Sequence, residues 1–269
     1  MVQPSATNRV GHGHAIEGAP ATHWNTEGVP AASTVRSDAG SALVLVVLST
    51  GVLVTLGLVL ALVSTVETDV VATTAEGTQA LALAEAAAEQ VMSDLSGLPS
   101  WDNALAGAVT SPFFDGAAGP RSFGGTRVDL SRETALLLCD AITCGGRSLD
   151  AVTANRPWGR NNPRWRVFAS GRTASLVGQA LGVRPGYAVV WIGDDPAEND
   201  ADPLKDGGPP VAEAGTGVNP GQDVVVLRVA AWGARGAHRE LELTVERADL
   251  QAHTGLRVRV WRELRGAVP

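Results

Sequence analysis

Residues 41–66 read SALVLVVLSTGVLVTLGLVLALVSTV, 26 positions without a charge. As an α-helix at ~1.5 Å per residue they span roughly 39 Å, more than the ~30 Å hydrocarbon core of a bilayer. A helix is the form such a segment takes in lipid, because every backbone N–H and C=O must find its partner within the segment. The run is about twice as long as the apolar core of a cleaved secretory signal, and no A-x-A motif follows it. Leu62-Val63-Ser64-Thr65 leads straight on, which predicts a retained span. Arg36 precedes the run, and Glu67 and Asp69 follow it. The positive-inside rule then places the N-terminus in the cytoplasm and the rest of the chain outside the membrane.

Residues 1–40 are rich in Gly, Ala, Pro, Ser and Thr and show no apolar period, so they read as a disordered leader. His12, His14 and His23 are solvated side chains in such a segment, with weak metal binding as the alternative. Val35 is a codon at which a bacterial start could fall, which would leave a short leader before Gly40. Past the span, residues 67–95 contain no proline and much alanine. Val70, Thr74, Gly77, Leu81, Ala84, Ala88, Val91 and Leu95 recur at steps of three and four, while Glu85 and Glu89 fall on another face. One helix is therefore expected from about residue 42 to about residue 96, stopped by Gly97 and Pro99.

The remainder predicts an α+β domain. A short helix is expected near 101–106, loop over 111–125, a strand over 126–130, and a helix capped by Ser131 that ends near Cys139. Strands are expected at 164–170, 187–193, 223–233, 238–247 and 256–261. In the fourth, Leu241, Leu243 and Val245 alternate with Glu240, Glu242, Thr244 and Glu246; in the fifth, Leu256, Val258 and Val260 alternate with Arg257, Arg259 and Trp261. If these two pair, an acidic face meets a basic one. The apolar face needs a cover, and the amphipathic half of the long helix supplies it. The domain plan is a leader at 1–40, a transmembrane and amphipathic helix at 41–97, and an exported head at 98–269. Cys139 and Cys144 close a short loop that suits a local disulfide in an oxidising space, with free thiols as the alternative; a lone C-x4-C without a nearby His is a poor zinc site.

Composition narrows the function. The net charge is −7 and the only lysine is Lys205, which argues against a nucleic-acid partner. No P-loop, H-E-x-x-H or G-x-S-x-G motif occurs, and the expectation is a protein without enzymatic activity; an unfamiliar active site is the alternative. Trp101, Trp158, Trp165, Trp191, Trp232 and Trp261 are scattered, as core or sheet residues are, although a carbohydrate surface also uses tryptophan. Residues 194–206 concentrate hard oxygen ligands: Asp194, Asp195, Glu198, Asn199, Asp200 and Asp202 could hold Ca²⁺, which takes six to eight oxygens, outside any EF-hand pattern. A solvated acidic loop is the competing reading.

The order of a short polar leader, Gly40, the small residue Ser41 and an uninterrupted apolar helix resembles the class III signal of type IV pilins and type II secretion pseudopilins. The resemblance covers roughly residues 36–97. It implies cleavage by a prepilin peptidase between Gly40 and Ser41, and a long helix packed on an antiparallel sheet. Most such proteins carry Glu at the fifth mature position, where this chain has Leu45. That departure is typical of PilX and GspK-like minor subunits, and residues 80–89 (ALALAEAAAE) resemble the alanine- and glutamate-rich stretch of PilX N-terminal domains. The implied partners are other pilin or pseudopilin subunits, the peptidase and an inner-membrane assembly platform. The implied location is the bacterial inner membrane with a periplasmic head, then a filament tip or the cell surface.

Overall fold

The structure, a computed structural model, describes residues 39–116, 119–177, 184–198, 200–207, 221–249 and 254–264. The leader through residue 38, His253 and Asn199 lie outside them. The chain falls into two compact units that divide between Leu58 and Val59.

Helix α1 runs over Ala39–Ser96, close to the extent that the absence of charge and proline predicts. Residues 40–71 are exposed throughout, and this is the one helix among the described residues long and apolar enough to cross a membrane. Three of its threonine hydroxyls do not need water. Thr50 donates to the Val47 carbonyl at 3.2 Å, Thr55 to Val52 at 2.8 Å and Thr65 to Leu62 at 2.8 Å, so each is satisfied within the helix.

In the second unit α1 becomes one wall of a core. Ala80, Leu83, Ala84, Ala87, Ala88, Val91 and Leu95 are buried, and Glu85 and Glu89 point to solvent. The buried face starts later than the sequence pattern implies, because Val70 and Thr74 are exposed. The head reaches back only as far as Glu76, whose carboxylate accepts from Arg184 at 3.0 Å and pairs with Arg235 at 3.6 Å. Three alanines on the inner face, Ala84, Ala87 and Ala88, keep the helix thin where it meets the sheet. Trp101, fully buried, donates its indole N–H to the Leu95 carbonyl at 3.1 Å and so satisfies one of the orphan acceptors at the helix end. Helix α2, Asp102–Leu105, follows at once.

The main sheet is antiparallel with the order β3-β4-β5-β6-β7: Arg166–Arg172, Tyr187–Asp194, Val224–Trp232, His238–Asp249 and Thr254–Leu264. One face carries Val190, Ile192, Val225, Leu227, Val229, Leu241, Leu243 and Val245 against α1. The other face is covered as well. Here the strand β1, Pro120–Phe123, pairs with β2, Thr126–Asp129, and leads into α3, Leu130–Cys139. Phe123, Val128 and Leu130 pack there on Tyr187, Val189 and Trp191. Burial on both sides leaves all eight residues of β4 inaccessible, and a strand covered on both faces has no alternation to read.

Four expectations change. Residues 120–123, expected in a loop, form β1, because Gly124 and Gly125 adopt positive φ (50° and 83°) and turn the chain into a hairpin. The cap of α3 is Asp129 rather than Ser131; its carboxylate accepts from the N–H groups of Ser131 and Arg132. Val258 and Val260 on β7 are 39% and 42% exposed, since β7 is an edge strand at the margin of the α1 cover. The cross-strand charges meet as expected: Glu242 lies opposite Arg262 and Glu246 opposite Arg257, and both pairs form ion pairs. Thr173–Val177, for which no helix is expected, forms α4.

Cys139 and Cys144 form a disulfide. Between them Asp140 ends α3 in the left-handed region (φ 52°) and gathers the following loop. Its carboxylate accepts from Thr153 at 2.8 Å, Asn155 at 3.3 Å and Arg156 at 3.5 Å. Burial pushes this carboxyl up, and the three donors overcome that and hold it below its ordinary value.

Candidate functional site

The end of β4 buries a carboxylate. Asp194 stands opposite Val225 of β5 and is 3% exposed. The residue before it has to be small: a Cβ on Gly193 would fall 2.9 Å from Pro163 and 3.0 Å from the Trp165 ring. After Asp194 the chain reverses. Asp195 accepts from the Ala197 N–H through its carboxylate at 3.1 Å and from the Glu198 N–H through its carbonyl at 3.0 Å. This turn folds Glu198, also 3% exposed, back toward Asp194. Asn161 fixes the position by donating to the Glu198 carbonyl at 2.5 Å, and the Gly207 N–H donates to the Glu198 carboxylate at 3.1 Å. Gly221 makes room from the far side, where a Cβ would come within 2.4 Å of Glu198 Cγ. A second turn follows, with Asp200 Oδ1 accepting from the Asp202 N–H at 2.9 Å and Ala201 held at φ 59°.

The result is a cluster in which one carboxylate oxygen each from Asp194, Glu198 and Asp200 lie within 4.8 Å of one another. Asp194 Oδ1 and Asp200 Oδ2 are buried without a hydrogen-bond partner. Neither residue forms an ion pair among the described residues, and Lys205 pairs instead with Asp202 at 3.7 Å. Burial, together with the charges of Glu198, Asp206 and Asp200, pushes the Asp194 carboxyl up to about 9. Asp206 is pushed up to about 7 by burial and by Asp223. It is held in place at both ends: its N–H donates to Asp102 at 3.0 Å and its carboxylate accepts from the Asp223 N–H at 2.7 Å. Three hard oxygen donors in a buried pocket can hold a divalent cation, with further oxygens completing the shell. Proton uptake is the other way such a pocket relieves its charge.

Of the six residues that the sequence offers as ligands, the structure therefore brings together Asp194, Glu198 and Asp200. Asp195 and Asp202 do not join them; their carboxylates accept from the backbone of Ala197 and Leu204. Asn199 lies outside the described residues. Asp206, which the sequence reading leaves out, adds its charge to Asp194 from the C-terminal end of the same stretch. Gly40, Ser41 and Leu45 all lie exposed in the first turns of α1.

A second concave region, of about 310 Å³, lies between Gln90 of α1 and the segment carrying Phe113, Phe114 and Asp115. Asp115 there accepts from Ser170 at 2.9 Å and Tyr187 at 2.8 Å and pairs with Arg121. Its acceptor sites are used in tying β3, β4 and β1 together, and no histidine lines the groove. Among the tryptophans, Trp101, Trp165 and Trp191 are buried and Trp232 stacks on His238 at 4.9 Å. Trp158 departs from the core-or-sheet expectation by lying exposed in a turn. His238, in that stack, is half-buried, and burial pushes its pKa down. In comparisons with known proteins, the chain matches no family model, no curated protein and no solved structure.

Proposed function

We propose that this chain is a structural subunit of a type IV pilin-like filament, of the minor pilin or pseudopilin kind, and that it carries no catalytic activity. One observation carries this reading. A single helix, Ala39–Ser96, is apolar and exposed over residues 40–71, while its last turns are built into the core of an antiparallel sheet. An exposed apolar surface of that length requires lipid or other helices around it. A helix of this kind exchanges one apolar surrounding for another at little solvation cost, which is what passage from a bilayer into a bundle of like helices demands. Before assembly the subunit is a single-pass inner-membrane protein with a cytoplasmic N-terminus and a periplasmic head, where the Cys139–Cys144 disulfide is at home. Leu45, in place of an acid, leaves no charge to neutralise the amino terminus of a neighbour, which favours a place at the filament tip over repeated use along its length.

N-terminal sequencing of the protein from membranes of producing cells tests the reading. A mature chain beginning at Ser41 is expected; an intact leader across residues 36–41 overturns it. The second reading is a permanently anchored, ligand-binding β-domain, which the buried carboxylates at the end of β4 favour. It predicts the intact leader.

A further inference from the structure

We propose that the end of the head from which α1 emerges docks on the anionic phospholipid headgroups of the bilayer that α1 crosses, with Arg172, Arg184, Arg235 and Arg239 as the contacting cations. The proposal rests on α1 crossing a membrane and not on filament assembly. Residues 40–71 of α1 are exposed, and Glu76 is the first position of the helix that the head buries. What surrounds Glu76 is therefore the part of the head nearest the bilayer, and it is built from arginine. Arg184, shortly before β4, reaches the Glu76 carboxylate at 3.0 Å, and Arg235, in the turn between β5 and β6, pairs with it at 3.6 Å. Arg239, at the start of β6, lies against the next residue of the helix: a Cβ on Gly77 would fall 2.7 Å from its guanidinium. Its carboxylate partner is Glu263 at 3.3 Å. Arg172 ends β3 opposite Tyr187, at the same end of β4, and donates to the Ser122 carbonyl at 3.2 Å. Among the described residues it meets no carboxylate. Two acids thus serve four arginines. Arg184, Arg235 and Arg239 stay 53%, 68% and 44% exposed, although Glu76 beneath them is 4% exposed. Arg235 also stands at φ 52°, a conformation costly for a bulky residue, in a turn where glycine follows it.

The opposite end of the head reverses the sign. Asp194, Asp195, Glu198, Asp200, Asp202 and Asp206 gather at the far end of β4, whose eight residues put roughly 26 Å between the two ends at ~3.3 Å per residue. A chain of net charge −7 is repelled by an anionic surface, and this division lets its base approach one. Distance allows the contact. The uncharged run ends at Val66, about ten residues or roughly 15 Å of helix before Glu76. The headgroup layer takes up roughly 5–7 Å of that. The roughly 8–10 Å that remain match one Debye length near physiological ionic strength. Anionic headgroups attract an arginine in that range by enough to shift an equilibrium about fivefold. Glu67 and Asp69 lie exposed in the same interval, so the acidic turn of a second copy is the rival occupant. Lipid is favoured because a bilayer surrounds α1 at this height whether or not a second copy is near.

The full chain is reconstituted at one copy per nanodisc in phosphatidylcholine, with and without about 30% phosphatidylglycerol, and hydrogen exchange is read over 184–187 and 233–239. Exchange at least tenfold slower in the phosphatidylglycerol discs is expected, reversed by high salt, with residues 200–206 unaffected. Arg235→Gln should cut that ratio about fivefold, while Arg235→Lys, which keeps the charge, should hold it within twofold. Glu76→Gln removes the acid and leaves the arginines, so the lipid effect should survive it even where the head loses stability. Circular dichroism confirms folding; Arg172→Gln, away from Glu76, keeps the test open if Arg235→Gln does not fold. Equal exchange in the two lipids, or equal loss in Arg235→Lys and Arg235→Gln, overturns the proposal. So does protection that needs two copies per disc, appears in phosphatidylcholine alone and vanishes in Glu67→Gln/Asp69→Gln, which identifies the second copy as the occupant. Release of the chain from membranes by alkaline carbonate overturns the span beneath the proposal, and is read apart from cleavage before Ser41.

Discussion

Two acidic regions of the head meet opposite fates. On β6, Glu242 and Glu246 face Arg228, Arg262, Arg257 and Arg259, and at the adjoining corner Asp223 meets Arg247. At the end of β4, buried Asp194 and half-buried Asp200 carry buried oxygens that no cationic side chain reaches among the described residues. Both regions contain carboxylates at 3–5% exposure, so burial alone does not distinguish them. What distinguishes them is whether the sheet register delivers a guanidinium. Antiparallel pairing sets Glu242 opposite Arg228 on one side and opposite Arg262 on the other. Among the described residues no strand passes beyond Asp194 to do the same. A carboxylate with its arginine is part of the framework; one buried without it is a place for a proton or a metal ion.

The comparison can be broken by substitution, with stability read from thermal unfolding of the full chain in detergent. The largest effect is expected at the corner. Asp223→Asn keeps the shape and tolerates φ 60°, but strips the carboxylate from Arg247, whose side chain is 1% exposed. A cost of about 3 kcal/mol is expected, unchanged by Ca²⁺. Next comes Asp194→Asn. The wild-type chain should gain about 2.7 kcal/mol when Ca²⁺ stands 100-fold above its dissociation constant, and the variant should gain nothing. A Ca²⁺ gain in the Asp223 variant and none in the Asp194 variant separates framework from site in one experiment.

Asp140 sharpens the contrast from a third side, because hydroxyl, amide and guanidinium donors all serve it. Its folded pKa is held below the ordinary value of 3.8, so its contribution is present above that pH and is lost as pH falls through the folded value. Asp140→Asn should cost about 1–2 kcal/mol at pH 6. The gap between variant and wild type should close as pH falls below 3.8; a gap that stays constant down to pH 2.5 counts against this account. The smallest effect belongs to the surface. Arg262→Ala removes a pair whose arginine is 59% exposed, and should cost less than about 1 kcal/mol, shrinking further in high salt.

How much of this was legible in the sequence depends on whether a local pattern or a distant neighbour decides. The extent of α1 was legible because an uncharged run and an alanine-rich, proline-free continuation each constrain the backbone locally. The alternation of β6 and its charge match with β7 were legible for the same reason. The second cover of the sheet was not. Phe123, Val128 and Leu130 are isolated apolar residues in a stretch full of glycine, and only their meeting with Tyr187 and Trp191 makes a core of them. Within the acidic stretch, Asp195 and Asp202 look like Asp194 and Asp200. What separates them is which backbone N–H each carboxylate turns to, and that depends on the turns after β4.

Gly221 carries a lesson for reading natural variation in this chain. It has no side chain to serve as a ligand and stands more than twenty residues from Glu198 in sequence, so an exchange for alanine would pass as mild. Yet the added methyl would fall 2.4 Å from Glu198 Cγ and displace a carboxylate that cannot move without vacating the cluster. In a lineage that keeps all three acids but has lost this glycine, the binding capacity should already be gone.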